Sequence, residues 1–217
     1  MKNNITELVF ILDMSGSMQP LTADTIGGFN SMLAKQRLEQ GTALVSTVVF
    51  NTESTVIHDR LPLEKVPELT QRDYIPGGGT ALLDAVGGAI HHIGNIHKYA
   101  RQEDVPDKTL VVITTDGMEN SSRIYDIKKV KSMIERQQKK YDWEFIFLGA
   151  NIDAAETAGS MGIDRRNAVD YCADSKGSGV LFEALGKAVA FARSGADCSD
   201  NMEWREELDK DYNSRRG

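Results

Sequence analysis

Four apolar segments rich in β-branched and aromatic residues constrain the fold of this chain most strongly. They lie at residues 7–13, 44–50, 109–115 and 143–149, and none shows the regular polar alternation of a strand with one face in water. Continuous apolar strands of this kind are typical of a parallel sheet that is covered on both faces. The sequence therefore predicts an α/β fold around a mostly parallel sheet.

Helical patterns separate these predicted strands, at residues 21–38, 81–99 and 124–139. In the last of these segments, the apolar residues at helical spacing are Ile124, Ile127, Val130 and Ile134. Strand and helix alternate along the chain, and such alternation indicates right-handed crossovers that place helices on both faces of the sheet. We expect a Rossmann-like, doubly wound sheet of about six strands.

One strand is expected to be antiparallel. Residues 53–58 follow the second apolar segment after a break of only two residues, which predicts a hairpin partner at one edge of the sheet. Further along the chain, a short helix, a short last strand and an amphipathic helix are predicted at 154–159, 167–172 and 179–193. Gly195 would end the last helix as its C-cap.

The length of 217 residues suits one α/β domain better than two. We predict a domain over residues 1–195 and a charged C-terminal tail over residues 196–217. Within the tail, Trp204 and Leu208 have the i, i+4 spacing that would allow one further helical turn to pack on the domain.

Composition excludes several classes of function. With 32 acidic residues against 25 basic ones, the formal net charge of −7 disfavours nonspecific binding to nucleic acid or to anionic membranes. The apolar runs stop well short of the ~18 residues that a membrane helix needs. The first residues lack the apolar region of a secretory signal, and two cysteines do not make a disulfide framework. We therefore expect a cytoplasmic protein with no nucleic-acid partner and no membrane span.

Side chains that carry oxygen stand where two of the predicted strands end. Asp13, Ser15 and Ser17 follow the first apolar segment at alternating positions, Thr80 follows a glycine-rich turn, and Asp116 follows the third apolar segment. Ligands of parallel α/β sheets collect at the carboxyl ends of the strands, where the strand order reverses. If the first and third main strands are neighbours, these five side chains face one crevice.

The ligand types predict a hard divalent cation. Hydroxyl and carboxylate oxygens suit Mg²⁺ or Mn²⁺, and no soft ligand lies nearby in the sequence to favour zinc. Three neutral hydroxyls and two carboxylates leave such an ion short of negative charge if the acids act partly through water. The ion would then attract a further anion.

Each part of this pattern also has a purely structural interpretation. Ser17 and Thr80 could be helix N-caps, and Asp116 with Gly117 could be a turn dipeptide. Two other functions use the same crevice: a magnesium-dependent phosphohydrolase, or an ion that only holds the loops together. A phosphohydrolase with an aspartyl nucleophile generally has a second acid two residues after it, where this chain has Ser15.

The order Asp-x-Ser-x-Ser, then a distant Thr, then a distant Asp resembles the von Willebrand factor A domain family and its metal-ion-dependent adhesion site. The resemblance extends over residues 5 to about 193 and is to a stand-alone, bacterial type of this domain. It implies that the two serines and the threonine contact the ion, that the aspartates often act through water, and that no covalent chemistry occurs. It also implies a protein partner that supplies an Asp or Glu carboxylate, such as an AAA-type ATPase or a stress- or phage-linked complex.

Residues close to the predicted ion in sequence would form a partner-binding rim. Methionines are favourable there because their flexible side chains repack around different partners. The predicted rim residues are Met14, Met18, Tyr74, Gly79, Glu119 and Asn151.

Overall fold

The structure, a computed structural model, describes residues 4–216. Its strands are β1 (Ile5–Asp13), β2 (Thr42–Phe50), β3 (Ser54–Pro62), β4 (Lys108–Thr115), β5 (Trp143–Gly149) and β6 (Ala168–Asp170). They form one six-stranded sheet in the order β3-β2-β1-β4-β5-β6. Neighbouring strands are parallel except for the edge pair β2 and β3, which is antiparallel. The predicted mostly parallel sheet with one antiparallel edge strand is confirmed.

Helices cover both faces of the sheet. They are α1 (Thr22–Gln36), α2 (Leu82–Tyr99), α3 (Ile127–Tyr141), α4 (Ala154–Ser160), α5 (Ser175–Ser194) and α6 (Glu206–Arg215). Successive side chains of a strand point to opposite faces. Leu8, Phe10 and Leu12 of β1 therefore pack in the layer with α1, α5 and α6, whereas Val9 and Ile11 pack in the layer with α2, α3 and α4. Burial on both faces explains why the strand sequences are continuously apolar.

The start of α3 differs from the prediction. Ile124 is 80% exposed and lies before the helix, which begins at Ile127. Asp126 caps the helix, because its side chain accepts a hydrogen bond from the backbone N–H of Lys129. Val130 lies one turn further along and is fully buried as expected. The helical spacing of the isoleucines therefore predicts a helix start that is one turn too close to the N terminus.

Other boundaries also shift. A 3-10 helix, Gly16–Leu21, precedes α1, so α1 is shorter than the predicted segment. Strand β6 has three residues and does not include Cys172. Helix α5 begins earlier than predicted because the side chain of Asp174 caps it at Gly177. Gly195 ends this helix with φ +81°, and its predicted role as C-cap is confirmed.

Part of the predicted tail is helical and packs on the sheet layer that contains α5. A 3-10 turn at Met202–Trp204 leads into α6, and Trp204 and Leu208 are both fully buried. Ion pairs join α6 to the N-terminal end of α5, including one between Lys176 and Asp211. The division of the chain at residue 195 stays a prediction. No helix in the described part of the chain combines the length and the apolar composition that a membrane crossing requires.

Candidate metal centre

The candidate site lies where β1 and β4 end side by side. These two strands are parallel neighbours whose register pairs Leu12 with Thr114, so Asp13 follows at the same level as Thr115. Strand β1 also pairs with β2 on its other side, and the chain order reverses at this point of the sheet. This is the position at which parallel α/β sheets bind ligands.

Asp13, one of the five predicted metal ligands, is held by two hydrogen bonds from the chain. Its side chain is fully buried. Oδ1 accepts a hydrogen bond from the backbone N–H of Ser15 at 2.7 Å, and Oδ2 accepts one from Thr115 Oγ1 at 2.6 Å. Burial raises the pKa of this carboxyl, and the two hydrogen bonds only partly oppose that effect. A cation beside Asp13 would favour its ionised form.

Ser15, Ser17 and Asp116 form a connected row of oxygens. The two serine hydroxyls are 3.1 Å apart, and Ser17 Oγ donates to Asp116 Oδ1 at 2.6 Å. Ser15 and Asp116 are buried, whereas Ser17 is exposed at the mouth of the site. The row therefore leads from the buried floor of the site to solvent.

Thr80 lies beside this group, on the glycine-rich loop that leads into α2. Its backbone is fixed to Asn120, whose Oδ1 accepts from the Thr80 N–H at 2.9 Å and whose N–H donates to the Thr80 carbonyl at 3.0 Å. A Cβ atom placed on Gly117 would lie 3.6 Å from Thr80 Oγ1 and 4.0 Å from Ser17 Oγ. Both hydroxyls thus stand around the same point beside Gly117.

The hydroxyls do not serve as helix caps. Ser17 lies inside the 3-10 helix, whose N-cap is Ser15, and the side chain of Ser15 makes no capping hydrogen bond. Helix α2 has Ala81 as its N-cap, so Thr80 does not cap it either. The N-cap interpretations of Ser17 and Thr80 are therefore wrong.

Backbone hydrogen bonds connect the loop after β1 directly to the glycine-rich turn that precedes Thr80. Gly16 N–H donates to the carbonyl of Gly78 at 3.2 Å, and Gly77 N–H donates to the carbonyl of Met14 at 3.0 Å. Gly78 has φ +73°, a conformation that favours glycine. The N–H of Gly79 donates to Thr52 Oγ1 at 2.9 Å, which anchors the glycine turn to the β2–β3 hairpin.

Three supporting residues were not identified from the sequence. Thr115 orients Asp13, Asn120 holds Thr80, and Thr52 holds the glycine turn. The only signal for Thr115 was a polar residue in an apolar strand directly before Asp116. Asn120 and Thr52 act across the fold, and no local pattern marks them.

The predicted rim is only partly at the surface. Met18 and Tyr74 are 5% and 1% exposed, and their role as partner contacts stays a prediction. The Tyr74 hydroxyl donates to the backbone carbonyl of Asp13 and supports the end of β1. Two residues outside the predicted set are exposed beside the loops: Ile75 at 65% and Met118 at 74%.

The other predicted rim residues lie at or near the surface. Met14 and Gly79 are half-buried. Asn151 is exposed with φ +57°, and its Nδ2 donates to the carbonyl of Asp116 at 3.4 Å. Glu119 is half-buried, and its carboxylate accepts hydrogen bonds from three backbone N–H groups. One is that of Leu83 at the start of α2, and the other two are those of Ser121 and Ser122. Glu119 therefore already has partners within the chain.

The donor set fits a hard cation. All candidate ligand atoms are oxygens, and the geometry of octahedral Mg²⁺, with metal–oxygen distances of about 2.1 Å, places adjacent ligands about 3 Å apart. The two serine hydroxyls already have this separation, at 3.1 Å. Among residues 4–216, no three His, Cys, Asp or Glu side chains form a metal-binding group. A site here therefore depends on hydroxyls as well as carboxylates.

Comparison with known proteins identifies the family. Residues 2–141 match the family described as VWA domain containing CoxE-like protein. The chain belongs to this family. The resemblance to the von Willebrand factor A domain seen in the sequence is confirmed, and a search of curated proteins gave no match to this VWA chain.

Solved structures share the fold of this VWA chain. Proximal thread matrix protein 1 from the mussel byssus was solved with a zinc-occupied metal-ion-dependent adhesion site (MIDAS) motif. It is 15% identical to this chain, with a TM-score of 0.57 and coverage of 85% of this chain. Manganese-loaded Plasmodium vivax TRAP protein is 17% identical with a TM-score of 0.55, covering 83% of this chain and 73% of that one. The chain spans 46% of the mussel protein, which is about half of its length. Likeness at these identities shows the fold.

Proposed function

We propose that this VWA chain binds a divalent cation, Mg²⁺ or Mn²⁺, and that the bound ion captures an acidic side chain of a partner protein. The residues that would hold the ion are Asp13, Ser15, Ser17, Thr80 and Asp116. The observation that carries the proposal is that hydroxyls from two loops stand around one point beside Asp116 and cap no helix. A bound cation would explain why these hydroxyls converge on one point.

The candidate ligands differ in burial and in the hydrogen bonds that they already make. Ser17 Oγ lies at the exposed mouth of the site and Asp13 at its buried floor, so an ion between them is open to a partner on one side only. Both Asp13 oxygens already accept hydrogen bonds from the chain, which favours contact with the ion through water. Such an ion keeps part of its positive charge, and it supplies the electrophile that a carboxylate binds.

The relatives support the choice of a divalent ion. One neighbour of the same fold was solved loaded with manganese, and another has a zinc-occupied MIDAS motif. The donor set of this chain, which contains hydroxyls and carboxylates alone, favours Mg²⁺ or Mn²⁺ over zinc. The type of partner inferred from the resemblance, an AAA-type ATPase or a stress- or phage-linked complex, stays a prediction, as does the cytoplasmic location.

Two measurements test the two halves of the proposal. Calorimetric titration with Mg²⁺ and Mn²⁺ should give one saturable site in the wild-type chain and at least tenfold weaker binding in Thr80→Ala. Ser160→Ala is the matched control, because it removes an exposed hydroxyl on α4 that bonds only locally. Unchanged binding in Thr80→Ala would refute the ligand set.

The partner half is tested by affinity capture from extracts of the native cell, with and without EDTA. A partner that is retained only with divalent cation, and lost with Thr80→Ala, supports capture through the ion. Retention that is the same in EDTA refutes it. Hydrolysis of a phosphoester by the wild-type chain, lost in Asp13→Asn, would instead favour the phosphohydrolase alternative.

A further inference from the structure

Helix α3 presents a strongly basic surface on a protein that is acidic as a whole. Its 15 residues include six basic residues and one acidic residue, whereas the chain has 25 basic residues against 32 acidic ones. All six basic side chains of the helix are exposed: Lys128, Lys129, Lys131, Arg136, Lys139 and Lys140. A surface whose charge opposes that of the rest of the molecule is a candidate contact for an anionic partner.

Little of this positive charge is compensated within the chain. Among residues 4–216, Glu135 is the only acidic residue within 4.0 Å of any of the six charges, and it lies 3.6 Å from Lys139. The two side chains are 39% and 76% exposed, so this ion pair is weak. The neighbouring helix α2 has one acidic residue, Asp84, whose carboxylate already accepts from the backbone amides of residues 123–125.

The stability of the helix does not explain the charge at its start. Lys128 and Lys129 lie in the first turn, which has no acidic residue, and the helix dipole disfavours cations at that end. Arg136 and Lys140 have the i, i+4 spacing at which like charges repel. Lys139 and Lys140 do suit the dipole, because they lie in the last turn. The two lysines of the first turn are unfavourable for the helix, which favours a role in contact with another molecule.

Three of the basic residues form one stripe along α3. Positions seven and eleven residues apart lie on the same side of a helix with 3.6 residues per turn, which groups Lys129, Arg136 and Lys140. Lys131 lies on the other side of the helix, where its Cγ would be 3.2 Å from a Cβ atom placed on Gly162. The stripe is about 17 Å long, since each helical step rises by about 1.5 Å. About five residues of an extended peptide span this length.

The N-terminal end of α3 is held close to the candidate metal centre. Asp84 follows Thr80 by about one helical turn, and its carboxylate accepts from the N–H groups of Arg123, Ile124 and Tyr125. These hydrogen bonds fix the segment that leads into α3 against the start of α2. Arg123 and Ile124 are both exposed there. An acidic segment that leaves the metal centre on this side would meet Arg123 first and the stripe next.

We propose that the basic stripe of α3 binds an acidic segment of the same partner whose carboxylate binds the ion. The inference rests on the proposed function of the metal centre and adds the chemistry of its partner, which is a protein segment with several Asp or Glu residues. A protein segment is favoured over nucleic acid, because the stripe is short and the acidic remainder of the chain repels a long polyanion.

Fluorescence anisotropy with two labelled peptides tests this inference on the whole chain. One peptide consists of twelve glutamates, and the other keeps only the first glutamate and has serines elsewhere; each is about 40 Å long when extended. With Mg²⁺ present, we expect the first peptide to bind the wild type at least tenfold more tightly than the second. The variant Lys129→Gln/Arg136→Gln/Lys140→Gln should lose most of this difference, and high ionic strength should reduce it in the wild type.

A matched control and a mapping experiment accompany this variant. Lys35→Gln/Lys65→Gln/Lys187→Gln makes the same change of net charge at exposed positions outside α3, and it should bind both peptides like the wild type. Two-dimensional NMR spectra of the wild type cover the case in which the α3 variant is poorly folded. The peptide of twelve glutamates should shift the backbone signals of residues 129–140, and the peptide with one glutamate should not.

The results that would overturn the inference differ from those that would overturn the proposed function. Equal affinity of the wild type for the two peptides, or an equal loss in the control variant, would overturn the inference. Tighter binding of a single-stranded oligonucleotide with the same number of charges would also overturn it, in favour of nucleic acid. If EDTA and Thr80→Ala leave the binding of both peptides unchanged, the proposed function fails instead. Binding that requires the ion but is the same in the α3 variant refutes the stripe alone.

Discussion

Replacing Thr115 by valine removes one hydroxyl from the candidate metal centre and leaves the shape of the side chain almost unchanged. Thr115 is fully buried, and its Oγ1 lies 2.6 Å from Asp13 Oδ2 and 3.0 Å from the carbonyl of Gly117. A hydroxyl has one proton, so it donates to the nearer and charged acceptor. In Thr115→Val, Asp13 Oδ2 loses this donor, while Oδ1 keeps the N–H of Ser15.

The size of the effect follows from the kind of hydrogen bond that is lost. A hydrogen bond to a charged group contributes about 1.5–3 kcal/mol. Removal of a group that orients a metal ligand typically weakens metal binding by about 10- to 100-fold, or about 1.4 kcal/mol for each factor of ten. We therefore expect Thr115→Val to bind Mg²⁺ about 10- to 100-fold more weakly. Burial already raises the pKa of Asp13, and loss of a donor raises it further, so the defect should grow as the pH falls.

Calorimetric titration with Mg²⁺ at two pH values measures this effect directly. The control is Thr109→Val, an equally buried change at the other end of the same strand. Circular dichroism should show that both variants are folded. Wild-type affinity in Thr115→Val would refute the argument that this hydroxyl positions Asp13, and equal weakening in Thr109→Val would assign the effect to the strand as a whole.

Three further predictions concern stability, each measured by urea denaturation. Tyr74→Phe removes the buried hydroxyl that supports the end of β1 and should lower the free energy of unfolding by about 1–2 kcal/mol; no change would contradict that role. Gly177→Ala would place a Cβ 2.0 Å from the carbonyl oxygen of Cys172 and should destabilise by more than about 3 kcal/mol, whereas Gly179→Ala, with open space around it, should be neutral or stabilising. A normal Gly177→Ala protein would show that this backbone contact yields easily. Burial opposes ionisation of Asp84, but hydrogen bonds from three backbone amides of the loop before α3 outweigh it and hold the pKa of this carboxyl below its ordinary value of 3.8. The stability that the ionised carboxylate contributes is therefore present above about pH 3.8, and it is lost as the pH falls through the lower pKa of the folded state. Asp84→Asn should therefore lose stability at neutral pH and show a shallower decline in acid, and a wild-type acid profile would argue against it.

The strand segments, and the position of the candidate ligands at strand ends, could be predicted because both depend on local sequence. Residues 109–115 form a strand buried on both faces, so every position is apolar or β-branched and the pattern is unmistakable. Asp13 and Asp116 stand directly after such strands, and parallel strands bring their carboxyl ends to one edge. No knowledge of distant contacts was needed for these inferences.

The parts that could not be predicted depend on contacts between distant residues. The loop before α3 is held by Asp84, about 40 positions away in sequence, and this contact leaves Ile124 outside the helix. Thr115 acts on Asp13 from 102 positions away. Local periodicity carries no information about such pairings. The sequence therefore misplaces the start of α3 and does not reveal the residues that support the candidate ligands.

The direct contacts between the loops also distinguish an ion that captures a partner from one that only holds the loops together. Gly16 is bonded to Gly78, Gly77 to Met14, and Thr80 to Asn120, all through the backbone or through groups that are not candidate ligands. Loops joined in this way do not need an ion to bring them together. A bound cation would then stabilise the fold only by mass action, about 2.7 kcal/mol at a concentration 100 times its dissociation constant. Because the chain already holds the ligand oxygens in place, the interaction energy of the ion remains available for a partner's carboxylate, which favours capture over a purely structural ion.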